Sequence, residues 1–223
     1  KEINYERCLD EDTKSLKIGV IKNLESFGIS DSVLKAYEAS LTILESLGHK
    51  LIEVDFSELS SGICSYYVIA PAECSSNLSR FDGVKFGHRT NKQQDISELY
   101  MSTRAEGFGD EVKKRILIGT HVLSAGFYDA YYLKAQKVRR MIKNKFEEMY
   151  KDVDLIFMPT TLDQAFEKNR QSEDPNRMYK EDLLTIPANL AGLPAISFPN
   201  GFQNGLPTGC LLYTSDAADD KCS

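Results

Sequence analysis

Two oppositely charged residues beside apolar runs could between them bind a free amino acid: Arg115, which precedes ILIG, and Asp182, which precedes LLTIP. A planar guanidinium matches a carboxylate through two parallel hydrogen bonds, and a carboxylate accepts from an ammonium. A cavity faced by both would therefore hold the two charges of a zwitterion. Spacing alone does not require such a cavity, because a lone Arg or Asp on a helix is ordinarily solvated. Nucleophilic chemistry has less to recommend it. GxSxG is absent, and the serine clusters Ser60-Ser61-Gly62 and Ser75-Ser76-Asn77 read as helix caps or turns. Neither GxxxxGK[ST] nor GxGxxG occurs, and EGFG at 106–109 has too few glycines to cradle a phosphate. His49, His88 and His121 are scattered with no HExxH, which argues against a zinc site. Five widely spread cysteines (Cys8, Cys64, Cys74, Cys210, Cys222) form no CxxC pair and read as reduced thiols of a cytosolic protein.

The elements that must position these residues are drawn from 223 residues, a length that allows one large domain, two small ones or a piece of something bigger. Hydrophobic residues make up 42% and charged residues 27%, enough apolar material for a core and too much for disorder. A net charge of -6 supplies no positive field for phosphate backbones, which disfavours nucleic-acid binding. Apolar runs fall well short of the roughly 18 residues that span a bilayer, and the first residues lack a signal peptide's apolar stretch, so neither membrane nor export is expected.

Residues 16–21 (LKIGVI) predict a strand. Val33, Leu34, Tyr37, Leu41, Leu44 and Leu47 predict an amphipathic helix from a Ser30/Asp31 cap to Gly48, and residues 51–56 (LIEVDF) a second strand. This strand, helix and strand form a crossover unit. Helical periodicity then dominates residues 61–150: a buried helix over 61–78 kinked or interrupted at Pro71, shorter ones over 96–106 and 110–124, and a long one over 128–150 with a basic solvated face. Residues 154–158 (DLIFM) read as a strand, 178–184 as a short helix and 195–198 (AISF) as a strand between prolines. The fold class expected is α/β, a mixed β-sheet core covered by helices, with no linker long enough to divide domains. Residues 211–223, small, acidic and aperiodic, predict a frayed tail.

Five segments in order, AECSSNLSRFDGVKFGHR (72–89), EGFGDEVKKRILIGT (106–120), LSAGFYDAYYLKAQKVR (123–139), MPT (158–160) and DPNRMYKEDLLTIPANLAGLPAISFP (174–199), carry a resemblance. It is to the A subunits of the bacterial glutamyl-tRNA(Gln)/aspartyl-tRNA(Asn) amidotransferases, which are amidase-signature enzymes. The likeness runs from about residue 16 to 209, so that residues 1–209 are expected to be the C-terminal part of an amidase domain and 210–223 a tail foreign to it. The resemblance implies a mixed sheet covered by helices and a glutaminase in which a serine, a second serine on a cis peptide and a lysine base hydrolyse glutamine. It implies partners too, the B and C subunits of the amidotransferase. Ammonia would pass to the B partner, where ATP and Mg²⁺ activate the mischarged tRNA, all in the cytoplasm.

No glycine- and serine-rich signature string occurs in the 223 residues, so no catalytic residue is carried over and the chain by itself is expected not to hydrolyse glutamine. Leu162 stands where the family usually has proline, and GLPTGCLLYTSDAADDKCS replaces the family's GLPIGLQ continuation, as a truncation joined to unrelated sequence would. A sheet cut in this way would expose strand edges and promote aggregation. The resemblance does imply substrate-binding roles: Arg115 for the α-carboxylate of glutamine, Asp182 for its α-ammonium, and Tyr66 of SYYVIA for a hydroxyl contact. The alternatives are another amidase-signature hydrolase of small amides and a non-catalytic module that docks a partner.

Overall fold

A computed structural model describes residues 14–22, 24–56, 60–92, 95–168 and 180–215. The chain divides into two compact units, one of residues Lys1–Ile63 with Arg139–Ser223 and one of Cys64–Val138. The boundaries fall inside helices, so the division leaves no Gly- or Pro-rich linker in the sequence to betray it.

The first unit is built on a five-stranded sheet of order β2-β1-β3-β5-β4. Strand β1 (Lys17–Ile21) pairs in parallel with β2 (Lys50–Val54) and with β3 (Leu155–Pro159). Strands β4 (Ala195–Gln203) and β5 (Leu206–Thr214) form a hairpin whose β5 runs antiparallel to β3. Asn204 and Gly205 sit at φ 53 and 78, the left-handed pair that suits a two-residue hairpin turn between twisted strands. Helix α1 (Asp31–Ser46) buries Val33, Ala36 and Tyr37. Tyr37 stacks on Phe157 at 5.4 Å and donates its hydroxyl to the Phe157 carbonyl at 3.0 Å, so the helix is tied to the central strand by both its apolar and its polar parts. Ser30 stands at the N-cap, but its side chain makes no capping bond.

Helix α2 (Gly62–Leu78) contains Pro71 without interruption. Helices α3 (Ile96–Gly107) and α4 (Asp110–Val122) follow. The long predicted helix begins as a π-helix over Tyr128–Leu133 and continues as α5 (Lys134–Met149). The apolar stripe of α5 includes Ile142 and Phe146, both fully buried.

Three expectations change. Of the helix foreseen over 178–184, Lys180 is helical and residues 181–185 form a turn, while Met178 and Tyr179 lie outside the described residues; a further helix, α6 (Ile186–Ala191), follows. Pro187 stands in the first turn of α6, where its fixed φ is favoured. The strand foreseen over 195–198 runs on to Gln203, because β4 is an edge strand and an edge tolerates Pro199. The frayed tail foreseen from Leu211 does not hold for 211–214: β5 continues to Thr214, with Leu211 and Tyr213 buried beside Cys210. Pairing with β3, some fifty residues upstream, supplies the order that local pattern lacks, Leu155 facing Thr214 and Phe157 facing Leu212. Residues 216–223 lie outside the described residues.

Candidate amino-acid site

The helical unit places Tyr66 and Arg115 together. Three contacts join α2 to α4 in the same order along both helices: Tyr66 with Arg115, Pro71 with Gly119, and Ser75 with Thr120. The two helices therefore run in the same sense, and the middle contact is close enough that only a glycine fits. Gly119 is buried, and a Cβ built on it would stand 1.9 Å from the Pro71 carbonyl oxygen. This close approach brings the Tyr66 hydroxyl within reach of the guanidinium.

Arg115 is held from two sides. Its Nε donates to Glu111 Oε1 at 3.0 Å, one helical turn earlier, and it is hydrogen-bonded to Tyr66. The Glu111 carboxylate, then the Tyr66 hydroxyl, raise the guanidinium's pKa above its ordinary value. A guanidinium has five N–H donors and no acceptor, so the Tyr66 oxygen must accept this bond and its own hydrogen remains to donate. The remaining guanidinium N–H groups and that hydroxyl make a set of donors matched to a carboxylate. Tyr66 also meets Tyr67 edge to face, with ring centroids 5.1 Å apart.

Asp182 belongs to the sheet unit, in the turn that leads into α6. Its carbonyl accepts from the backbone of Ile186 at 3.0 Å, which fixes the start of that helix.

Glu111 was not singled out by sequence reasoning, although its position four residues before Arg115 was a signal for it. A second group also escaped notice. Glu106 accepts from Lys92 Nζ at 3.0 Å and from the Thr90 hydroxyl at 3.1 Å, and stands 3.1 Å from His88 Nε2, clamping loop 79–92 to the end of α3. Gly83 lies in that loop at φ 76, where a side chain would also meet Thr103 at 2.6 Å. The bonds from His88, then Lys92 and Thr90, hold the Glu106 carboxyl down to about 2. The folded-state value is depressed, so this clamp contributes fully above the ordinary carboxylate range and is lost as pH falls towards 2. In a carboxyl-detected NMR titration the Glu106 midpoint is expected near 2 and should move up towards the ordinary value in His88→Ala; a midpoint that ignores His88 would count against the clamp.

Among the described residues no group of three or more His, Cys, Asp or Glu could hold a metal ion, and no helix is long and apolar enough to cross a membrane. Cys64, Cys74 and Cys210 are free thiols; Cys8 and Cys222 lie outside the described residues.

The amidase family profile matches residues 3–222, and the chain belongs to that family. It is 50% identical over 209 residues to the A subunit of the glutamyl-tRNA(Gln) amidotransferase of Hahella chejuensis, a match covering 94% of this chain and 43% of that relative. The chain thus spans less than half the length of the curated relatives it matches. Among solved structures, the A subunit of the glutamyl-tRNA(Gln) amidotransferase from Thermotoga maritima superposes with a TM-score of 0.67 at 40% identity, covering 93% of this chain and 40% of that one. An amidase 20% identical superposes with a TM-score of 0.71, over 95% of this chain and 44% of the other, a likeness of fold.

Proposed function

We propose that this chain is the substrate-holding part of the glutamine-hydrolysing component of a tRNA-dependent amidotransferase. What supports an amino-acid substrate is the Arg115 guanidinium, fixed by Glu111 and Tyr66 and presenting its remaining donors. In the proposed complex Arg115 takes the α-carboxylate of glutamine, Tyr66 donates its hydroxyl to the same amino acid, and Asp182 accepts from the α-ammonium. The side-chain amide is thereby held in place for a serine nucleophile. That serine adds to the amide carbon, the C–N bond breaks, ammonia leaves, and water cleaves the glutamyl ester. The serines and lysine of this chemistry are expected from sequence other than these 223 residues, which contain no glycine-serine signature string. Ammonia then passes to the B partner, in a cytoplasmic assembly that also holds the C partner. ATP and Mg²⁺ are used there, outside this chain, to activate glutamyl-tRNA(Gln) or aspartyl-tRNA(Asn) for amidation.

The test is glutaminase activity of the full-length gene product assembled with its partner subunits. Removing one charge-assisted contact costs about 1.5 to 3 kcal/mol, so Arg115→Ala is expected to raise the KM for glutamine roughly 10- to 150-fold. An unchanged KM would overturn the assignment of Arg115, and an assembly that hydrolyses simple amides but not glutamine would overturn the substrate.

A further inference from the structure

We propose that Glu111 is a positioning residue that fixes how Arg115 presents its guanidinium to the substrate carboxylate; the inference rests on the amino-acid-binding reading above. Arginine is long and flexible, and an unrestrained guanidinium would offer a carboxylate either its Nε edge or its terminal pair of nitrogens. Glu111 removes that choice, because its Oε1 occupies Nε at 3.0 Å. A bidentate partner is left with the end formed by the two terminal nitrogens, beside the Tyr66 hydroxyl that is also bonded to the guanidinium. The arrangement is local and sturdy. Glu111 stands in the first turn of α4, where a carboxylate is favoured by the exposed backbone N–H groups, and the acid-before-base order at a spacing of four is the better one for a helical pair.

Two further features fit positioning rather than simple charge pairing. Arg115 is the less exposed partner, with 32% of its side chain accessible against 56% for Glu111, so the acid lies on the solvent side of the base. Glu111 bonds the one nitrogen that cannot join a symmetrical end-on fork, and so restrains the base without competing for the ligand. Holding one rotamer before binding lowers the ordering that the ligand must impose, which shows as tighter binding with unaltered chemistry.

The experiment uses the full-length protein in its complex and two substrates, glutamine and 4-aminobutanamide, which keeps the amide and the amine but lacks the α-carboxylate. Glu111→Ala is expected to raise the KM for glutamine roughly 3- to 10-fold with kcat within about twofold, on the scale of freeing one long side chain. Glu111→Gln, which still offers an oxygen to Nε, should recover most of the loss. Glu111→Asp, one methylene short, should not, and it serves in place of the alanine variant should that one fail to assemble. With 4-aminobutanamide kcat/KM should be the same for native protein and all three variants. If Arg115→Ala raises the KM while Glu111→Ala and Glu111→Asp do not, the positioning role falls and the binding reading stands. Equal losses for both amides would assign Glu111 to fold stability and overturn the proposal. An unchanged KM in Arg115→Ala would remove the binding reading, and this inference with it.

Discussion

Gly119→Ala is expected to disrupt the helical unit. In an ordinary helix interior this change is favourable by up to about 1 kcal/mol, because alanine is the better helix former. At this position the sign reverses. The added methyl would lie 1.9 Å from the Pro71 carbonyl oxygen and 2.8 Å from Ser75 Cβ, and both obstacles belong to or adjoin the backbone of α2 rather than to the tip of a mobile side chain. The helices must separate, and the Ser75–Thr120 hydroxyl contact at 2.9 Å and the Tyr66–Arg115 bond go with the crossing. Overpacking ordinarily costs about 1–3 kcal/mol, and a backbone obstacle belongs at or above the top of that range, roughly 3 kcal/mol. Amide hydrogen exchange is the measurement that locates the damage: residues 64–138 should lose protection first. Unchanged protection there would mean that the two helices are not in contact as described.

Phe146→Ala should act on the other unit. Phe146 is fully buried and lies against three rings, Phe56 at 6.3 Å, Tyr150 at 6.3 Å and Tyr213 at 6.0 Å between centroids. These join α5, the segment after β2 and the late strand β5 into one aromatic cluster. Tyr213 is further fixed by its hydroxyl, which donates to the Leu184 carbonyl. Deleting a buried aromatic ring costs about 3 to 5 kcal/mol, the loss of transfer free energy plus the cavity it leaves. The expected result is an early loss of protection across β3 and β5, with residues 64–138 little affected. Equal losses in both units would show that they unfold together.

The parts of the fold that were legible in the sequence are those whose order is local. Strand β1, helix α1 and strand β2 could be read because Val33, Leu34 and Tyr37 repeat at helical spacing between two short β-branched runs. The end of the sheet could not be read. The cluster Cys210, Leu211 and Tyr213 follows no alternation, and its order comes from β3, distant along the chain. For the site the position is similar. Arg115 and Asp182 stand out only as charges beside apolar runs, and Tyr66 entered through family resemblance alone. The bond between Tyr66 and Arg115 depends on a helix crossing that glycine makes possible, and no sequence pattern specifies which carbonyl a glycine will meet. Glu111 was the exception, visible in principle from its spacing to Arg115.

The placement of β5 between β3 and β4 bears on how the chain is made. A ribosome delivers β1, β2 and β3 first, as a parallel trio whose β3 flank has unpaired peptide groups, and the strand that shields that flank emerges only after α6 and β4. Until then the nascent chain holds a sticky ribbon edge of Leu155, Ile156, Phe157 and Met158. Long-range pairing of this sort is slow and prone to capture by another chain. The β4–β5 hairpin, closed by its own Asn204-Gly205 turn, can form beforehand and seal the flank in one step.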